Sequence, residues 1–291
     1  MKNLYLITRR DAKKDSFELL ESSAKKKGIS VNTIFTEDFD FSKSLKLTSD
    51  DGLYNICDDI TSQIIEKSVI NSKVQSFYTD YRHCINKIND IDDIRSYLIH
   101  KNNNLPVIKS ILSLTTDKKM LKKYVDHLDG FPIIIKSMGG SHGIGVMKVD
   151  SLDSLYSIVD YLTKQKDNFI LRKFINYKKH ARFIVLRDKV IASIEYKKIK
   201  GDFRSNVGEN LNIISRNFGT LYEKIAVDSV HTLGYEFGGV DMLIDRDNRP
   251  YIAEINFPCY FPRAQQATGI DISGKMIDYL IEKSKNKMTI K

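Results

Sequence analysis

The pattern of apolar and polar positions predicts strands and helices in alternation from the start of the chain. A contiguous apolar run over residues 4–8 predicts a buried strand, helical spacing over residues 15–27 predicts a helix that stops at Gly28, and residues 31–35 predict the next strand. Helices are also predicted over residues 58–68 and 80–88. This order is typical of an α/β lobe.

The rest of the chain mixes helices with antiparallel hairpins. Helices are predicted over residues 94–100, 118–127, 152–164, 221–233 and 272–283, and a hairpin over residues 183–194. Residues 239–244 predict a strand, residues 245–249 a turn and residues 250–256 the returning strand. No internal repeat or low-complexity segment is evident.

The second hairpin places acidic groups together. If its turn is centred between Asp247 and Asn248, Asp241 pairs directly with Glu254. Because side chains alternate along a strand, Asn256 projects on the same face as Glu254. The same alternation turns the neighbouring apolar side chains to the other face: Val240, Met242, Ala253 and Ile255.

Two directly opposed carboxylates destabilise a sheet unless a cation offsets their repulsion. A divalent cation that prefers hard oxygen ligands, Mg²⁺ above all, reverses the sign of that effect. The hairpin therefore indicates a magnesium site at Asp241, Glu254 and Asn256. Two solvated surface acids are the alternative, and a loop of odd length would shift the register.

A glycine-rich segment follows a lysine at the end of a buried strand. The strand ends on Lys136, and Gly139, Gly140, Gly143 and Gly145 follow within a few residues. Glycines let backbone N–H groups approach an anion closely, which suits a triphosphate. The segment lacks the Gly-Lys-Ser/Thr of a Walker loop and the third glycine of a dinucleotide-binding fingerprint. A flexible hairpin connection is the alternative.

Taken in order, these segments resemble the ATP-grasp superfamily, and specifically its RimK-type amino-acid ligases. The resemblance covers residues 92–283 and is densest at residues 201–206, 238–241, 254–256 and 267–272. It implies an α/β (α+β) ATP-grasp fold. The expected division is an N-terminal α/β lobe over residues 1–91 and two α+β lobes that grip the nucleotide, over residues 92–171 and 172–291.

The resemblance also implies a role for each matching residue. Arg204 and Asn206 would face the reacting acyl group, and Lys197 would be a further cation near the phosphates and substrate. The residues expected to bind ATP are Lys136, Gly139, Gly140, Ser141, Gly143, Gly145, Arg172, Lys173, Phe174 and Ile175. The residues expected to bind Mg²⁺ are Asp241, Glu254 and Asn256.

Ligases of this kind transfer the γ-phosphoryl group of ATP to a carboxylate, and an amine then displaces phosphate to give an amide and ADP. Cations are needed because negative charge accumulates on the transferred group. The expected cofactors are ATP and Mg²⁺, with Mn²⁺ as an alternative ion. The expected partners are an amino acid, glutamate being the family's usual choice, and a carboxylate-bearing peptide, protein or small molecule.

Other activities stay open at this point. One alternative is an ATP-grasp ligase that modifies a ribosomal precursor peptide or joins free amino acids. A second alternative is a non-catalytic nucleotide-binding protein that kept the fold.

Several positions depart from the family pattern. Asp93 occupies the place of a nucleotide-contacting lysine, the hinge reads Arg172-Lys173 instead of Gln-Glu or Gln-Lys, and Ala181 stands where an acidic residue lies near the ribose. These changes favour the non-catalytic alternative, whereas the intact matches argue against it. Residues 257–262 replace the usual Ser-Pro-Gly, which indicates an altered choice of substrate.

Composition narrows the partners further. The 291 residues carry a net charge of +9, but the basic residues are scattered and no nucleic-acid-binding module is present, so nucleic acid is not an expected partner. No signal peptide or membrane span is recognisable, and a cytoplasmic location without a membrane partner is expected. Cys57, Cys84 and Cys259 lack metal-ligand spacing and are expected to be reduced packing residues. Homo-oligomer formation is left open.

Overall fold

The computed structural model describes residues 1–87, 92–113, 115–138, 144–208 and 211–288. Within these residues the strands form three sheets, of three, four and five strands. Helices connect or cover the sheets, and the mixture of parallel and antiparallel strands agrees with the predicted α/β (α+β) class.

The first sheet is parallel and has the order β2-β1-β3, with β1 at Asn3–Thr8, β2 at Ser30–Phe35 and β3 at Asp51–Asn55. Helix α1 spans Asp15–Lys26, one residue short of its predicted end. The pattern analysis missed β3, because its first residues, Asp51-Gly52, are typical of a turn. In the structure the Asp51 carboxylate accepts a hydrogen bond from Asn3, which ties β3 to β1.

The second sheet is antiparallel, with the order β4-β7-β5-β6. Its strands are β4 at Ser110–Ser113, β5 at Ile133–Ser137, β6 at Val146–Val149 and β7 at Phe169–Lys173. Helices α5 (Lys118–His127) and α6 (Leu152–Gln165) bury their apolar sides against this sheet, with Leu121 and Leu155 fully buried. Strand β7 runs across the predicted boundary between residues 171 and 172.

The third sheet is antiparallel, with the order β10-β9-β8-β11-β12. Its strands are β8 at Tyr177–Leu186, β9 at Lys189–Tyr196, β10 at Ile213–Ser215, β11 at Phe237–Asp245 and β12 at Pro250–Asn256. Strand β8 begins six residues before the predicted hairpin. Polar residues at Lys178 and Lys179 hide this start from a pattern that relies on apolar runs.

The remaining helices are α2 at Ile60–Val69, α3 at Tyr81–Ile85, α4 at Asp92–Asn102, α7 at Thr220–Thr232, α8 at Pro262–Thr268 and α9 at Ile272–Met288. Residues 86–88 were predicted to continue α3, but the helix ends at Ile85, and Ile88 lies outside the described residues. Helix α8 was not predicted, and α9 continues beyond the predicted end at residue 283.

Local side chains explain several helix starts. Asp59 accepts a hydrogen bond from the Ser62 backbone at the start of α2, and Asp117 accepts one from the Met120 backbone at the start of α5. Gly28 follows α1 with a φ of +71°, the left-handed conformation that favours glycine after a helix.

A large core joins the first and third sheets. Apolar residues of β1 and β3 and of β8, β9 and β11 share this core with α7 and α9. The second sheet has a separate core with α5 and α6. In the described residues, no helix combines the length and apolar composition needed to cross a membrane.

Candidate active site

A cavity of about 580 Å³ is lined by residues of the second and third sheets and of the segments that follow β1 and β3. This volume is typical of sites for small ligands and cofactors. One part of the wall is apolar and consists of Ile108, Ile134, Val146, Ile175, Leu243 and Ala253. The rest is rich in charged groups, so the cavity combines an apolar wall with a strongly polar region.

The acidic pair predicted from the second hairpin forms in the structure, with Asp241 opposite Glu254. The predicted turn centre was wrong, because Ile244 pairs with Pro250 and the turn is therefore centred on Asp247. A β-bulge between Asp241 and Met242 then shifts the register by one residue and restores the pair.

The bulge also changes which side chains reach the cavity. Ala253 is the extra residue and lines the cavity beside Leu243, so its predicted orientation to the opposite face was wrong. Val240 and Met242 are buried in the core on the other face, as predicted. Asn256 lines the cavity with Glu254, also as predicted.

Protein cations offset the repulsion within the acidic pair. Arg182 donates two hydrogen bonds to Asp241, Nε to Oδ1 at 2.8 Å and Nη2 to Oδ2 at 2.7 Å. Lys136 Nζ lies 3.4 Å from Glu254 Oε2. The acid pair therefore does not depend on a divalent ion alone, because β8 and β5 supply positive charges through Arg182 and Lys136.

The donor set nevertheless fits a hard cation. The Asn256 amide lies between the two carboxylates, with Nδ2 3.4 Å from Asp241 Oδ2; turned over, its NH₂ group donates to Glu254 Oε1 at 3.0 Å. Oxygens of Asp241, Glu254 and Asn256 are the ligands that Mg²⁺ prefers. The described residues contain no group of three or more Asp, Glu, His or Cys side chains arranged to hold a metal. An ion at this site would therefore also need the Asn256 amide oxygen and oxygens of a bound small molecule.

Lys136 is the centre of a buried charge cluster. Its Nζ lies 2.6 Å from Asp93 Oδ2, and its side chain is only 11% exposed. Burial lowers the pKa of Lys136, but Glu254 and Asp93 more than offset that effect, and the pKa is raised. Burial also raises the pKa of Asp93, but Lys136 outweighs it and the pKa is lowered. Both groups are therefore held in their charged forms.

The hinge residues predicted to bind ATP all line the cavity: Arg172, Lys173, Phe174 and Ile175. Arg172 is anchored, because its Nη1 donates to the Ala253 carbonyl and its Nε to Ser110 Oγ. Lys173 Nζ lies 2.6 Å from the Asp129 carboxylate. Ala181, by contrast, is fully buried in the core, so this position cannot reach a ribose in the cavity. Its neighbours His180 and Arg182 face the cavity instead.

Arg204 and Asn206 line the cavity from the segment after β9. The Arg204 guanidinium is bound by Asp202, with Nη2 2.8 Å from Oδ2, and this hydrogen bond raises the pKa of Arg204. Between the two predicted residues, Ser205 hydrogen-bonds His180 Nδ1 at 2.7 Å. The segment that carries Arg204 is therefore tied to β8, next to the strand that carries Asp241.

The remaining predicted residues either lie away from the cavity or belong to the glycine-rich segment. Lys197 does not line the cavity, and its Nζ lies 3.1 Å from Glu195 Oε1 on the side of β9 that faces away. The structure thus does not bring Lys197 together with Arg204. Gly139, Gly140, Ser141 and Gly143 lie outside the described residues. Gly145 has a φ of +82°, which only glycine adopts readily, and its carbonyl accepts a hydrogen bond from the Ser137 backbone.

Sequence reasoning missed several charged residues of the cavity. Arg182 and His180 alternate along β8, and the earlier start of that strand would have put both side chains on one face; their register with Asp241 on β11 comes from the packing of the sheet. The N-terminal lobe and α8 contribute a further group without any motif: Arg9, Asp11, Asp15, Asp58, Tyr260 and Arg263. No local signal in the sequence identifies that group, because its members come from distant segments.

The architecture and cavity define a class, the ATP-grasp fold. A solved structure of the ATP-grasp ligase PsnB with a phosphomimetic variant of its minimal precursor, Mg and ADP matches with a TM-score of 0.73 and 14% identity, over 97% of this chain and 98% of that one. D-alanine–D-alanine ligase from Bacillus anthracis matches with a TM-score of 0.63 and 16% identity, over 98% of each chain.

The chain belongs to the family of proteins with a RimK-like ATP-grasp domain, whose model matches residues 90–280. A protein from Rhodopirellula baltica named probable alpha-L-glutamate ligase is 28% identical over 194 residues, which are 66% of this chain and 47% of that protein. The chain spans about half the length of the curated relatives it matches.

Proposed function

We propose that the protein is an ATP- and Mg²⁺-dependent ligase that joins a carboxylate to an amine and releases ADP and phosphate. The observation that carries this proposal is one cavity whose lining combines an apolar wall, a buried lysine, an acid pair and the segment that carries Arg204. Each of these parts corresponds to one requirement of phosphoryl transfer to a carboxylate, namely nucleotide binding, phosphate binding and charge stabilisation.

The apolar wall and the hinge residues 172–175 are suited to hold the adenine, and Lys136 is suited to contact the phosphates. The glycine segment at residues 139–145 would supply backbone N–H groups to the same phosphates. Asp241, Glu254 and Asn256 would hold Mg²⁺, with Mn²⁺ as an alternative. When bound, such an ion stabilises negative charge on the transferred phosphoryl group.

The reaction has two steps. A substrate carboxylate oxygen attacks the γ-phosphorus of ATP, the bond from that phosphorus to the bridging oxygen breaks, and ADP and an acyl phosphate form. An amine nitrogen then attacks the acyl carbon, loses a proton, and the carbon–oxygen bond to phosphate breaks. Arg204 and Asn206 line the cavity where they would stabilise the oxyanion of the second step.

Glutamate is the proposed amino acid, supported by relatives named probable alpha-L-glutamate ligases. The acceptor is proposed to be a peptide, protein or small molecule. The PsnB structure was determined with its precursor peptide, which favours modification of a ribosomal precursor as the second candidate. The Bacillus anthracis neighbour is a ligase of two amino acids, which keeps the joining of free amino acids as a further candidate.

The test is release of ADP from ATP and Mg²⁺ in the presence of single amino acids, combined with glutamate-containing peptides, and mass spectrometry of the products. We expect ADP release that requires both an amine and a carboxylate substrate, together with a product heavier by one amino-acid residue. A protein that binds ATP but releases no ADP with any pair would instead be a non-catalytic nucleotide-binding protein.

Asp93 gives a prediction of its own, because it holds the lysine that we assign to the phosphates. Replacing Asp93 with asparagine removes a negative charge beside the phosphate position and frees Lys136. We expect Asp93→Asn to tighten ADP or ATP binding by about tenfold, which corresponds to about 1.4 kcal/mol. Calorimetric titration of the nucleotide with Mg²⁺ measures this change.

The control for that experiment is Asp126→Asn, which removes a carboxylate of an exposed pair with Lys122 on α5. Nucleotide affinity should be unchanged in this control. Weaker nucleotide binding by Asp93→Asn would show that Asp93 orients Lys136 for the phosphates instead of competing with them.

A further inference from the structure

Five arginines line the cavity, and they differ in how their guanidinium groups are engaged. Four are bound by protein acceptors: Arg9 by Asp11, Arg172 by Ser110 and the Ala253 carbonyl, Arg182 by Asp241, and Arg204 by Asp202. Arg263 makes no hydrogen bond or ion pair with any residue in the described part of the chain. It is the arginine of the cavity whose donor fork is available to a ligand.

The ring of Tyr260 supports the Arg263 side chain. Its guanidinium carbon lies 5.8 Å from the centroid of the Tyr260 ring, at a distance typical of a cation–π contact. The Tyr260 hydroxyl donates a hydrogen bond to the Asp15 carboxylate, which fixes this ring against the N-terminal lobe. A free arginine on an anchored aromatic platform has a restricted set of positions, so less entropy is lost when it binds an anion.

Arg263 shares the cavity wall with Tyr196 at the end of β9. Helix α8, which carries it, packs against β9 and β10. Burial raises the pKa of Tyr196 on β9 to about 12, while the charges of Arg182 and Arg263 both oppose the increase. The Arg182 guanidinium carbon lies 5.8 Å from the centroid of the Tyr196 ring, and the same arginine holds Asp241, so Tyr196 stands next to the partner of a proposed metal-binding residue.

The chemistry of the proposed reaction needs a cation in such a place. An amino acid that attacks through its α-amine retains its α-carboxylate one carbon away from the new bond. That carboxylate must be desolvated beside the reaction centre, and a buried carboxylate is stable only when it is paired. Of the other cations of the cavity, Lys13 is exposed to solvent, and the rest have protein partners or are assigned to the phosphates and the acyl group.

We propose that Arg263 binds the α-carboxylate of the amino-acid substrate and thereby selects a free amino acid as the amine. This inference rests on the proposed ligase function. A guanidinium with a free fork matches a carboxylate in a bidentate manner, and such charge-assisted pairs are about twice as strong as neutral hydrogen bonds. Arg263 directly follows residues 257–262, the segment whose sequence departs from the family pattern.

The test measures binding apart from turnover. The standard L-amino acids are titrated singly into the protein with ADP and Mg²⁺, and each amino acid that binds is compared with its α-carboxamide. For the wild type, we expect the carboxamide to bind at least about tenfold more weakly than the acid. Arg263→Gln should lower the affinity for the acid at least about tenfold and leave the carboxamide unchanged, and Arg263→Lys should lie between the two.

Arg246→Gln is the matched control, because Arg246 is exposed on the turn between β11 and β12 and does not line the cavity. It should bind acid and carboxamide as the wild type does, and all variants should bind ADP alike. The inference is overturned if no amino acid binds the wild type, if acid and carboxamide bind it equally, or if Arg263→Gln retains the preference for the acid.

Failure of the proposed ligase function is seen separately. If wild type releases ADP with an amino acid and acceptor, yet Arg263→Gln keeps the preference for the acid, only the role of Arg263 is wrong. If the preference depends on Arg263 but no ADP is released with any acceptor, the binding assignment holds and the ligase function is wrong.

Discussion

Replacing Glu254 with glutamine is expected to leave the fold intact and to reduce ADP release at least about a hundredfold, because a ligand of the proposed Mg²⁺ ion loses its charge. The Glu254 side chain is 41% exposed and its contact with Lys136 is long, at 3.4 Å, so the loss of charge costs little stability. Rates measured over a range of Mg²⁺ concentrations should show that the variant needs more Mg²⁺ than the wild type.

Glu282→Gln is the matched control, since Glu282 forms an exposed ion pair with Arg187 and neither residue lines the cavity. This control should retain wild-type rates and Mg²⁺ dependence. Turnover of Glu254→Gln within about twofold of wild type at low Mg²⁺ would remove Glu254 from the metal site.

Asp241 is the less suitable position for this test. Two opposed carboxylates taken alone predict that Asp241→Asn relieves their repulsion, but Asp241 is buried and paired in a bidentate manner with Arg182. Removal of one partner of a buried ion pair typically costs about 3–5 kcal/mol. Asp241→Asn should therefore unfold at a lower denaturant concentration than the wild type, so loss of activity there would have two causes.

Replacing Arg204 with alanine is expected to separate nucleotide binding from catalysis. If Arg204 stabilises charge that develops at the acyl group, Arg204→Ala should bind ATP nearly as the wild type does and react at least about a hundredfold more slowly. Single-turnover release of ADP, measured beside a nucleotide titration, tests this once an acceptor is known.

Asp202 provides the comparison, because it holds Arg204 by a paired hydrogen bond without being part of the cavity wall. Asp202→Asn keeps the Arg204 charge but weakens the hydrogen bonds that hold its guanidinium. The rate of this variant should therefore fall between those of the wild type and Arg204→Ala. Equal losses of ATP affinity and rate in Arg204→Ala would instead place Arg204 at the nucleotide.

The structure explains two of the departures from the family pattern, those at Asp93 and Ala181. Asp93 was expected to leave a cation missing, and the structure places its carboxylate against Lys136. The expected ribose position at Ala181 faces the core, so its change from an acidic residue says nothing about nucleotide binding. Ala181 therefore supports the non-catalytic alternative less than the sequence suggested. Asp93 supports it through a specific contact, its ion pair with Lys136.

Much of the fold followed from local patterns. Helices α1, α5 and α6 end within one residue of their predicted limits, because caps and apolar spacing act over a few residues. Strand β3 and helix α8 were missed, since their sequences carry a turn signal and a proline-rich start. Tertiary packing decided their structure.

The sequence by itself predicted the acid pair of the second hairpin, the strand lysine and the arginine segment, because strand alternation and motif order are properties of neighbouring residues; the bulge that brings the pair into register was not predicted. Only the tertiary structure decided that Arg182 neutralises Asp241, that Asp93 holds Lys136, and that Arg263 has no hydrogen-bond or ion-pair partner among the described residues. Such charge partners come from strands and helices that are far apart in the chain. Their pairing depends on how the sheets pack, which no local pattern encodes.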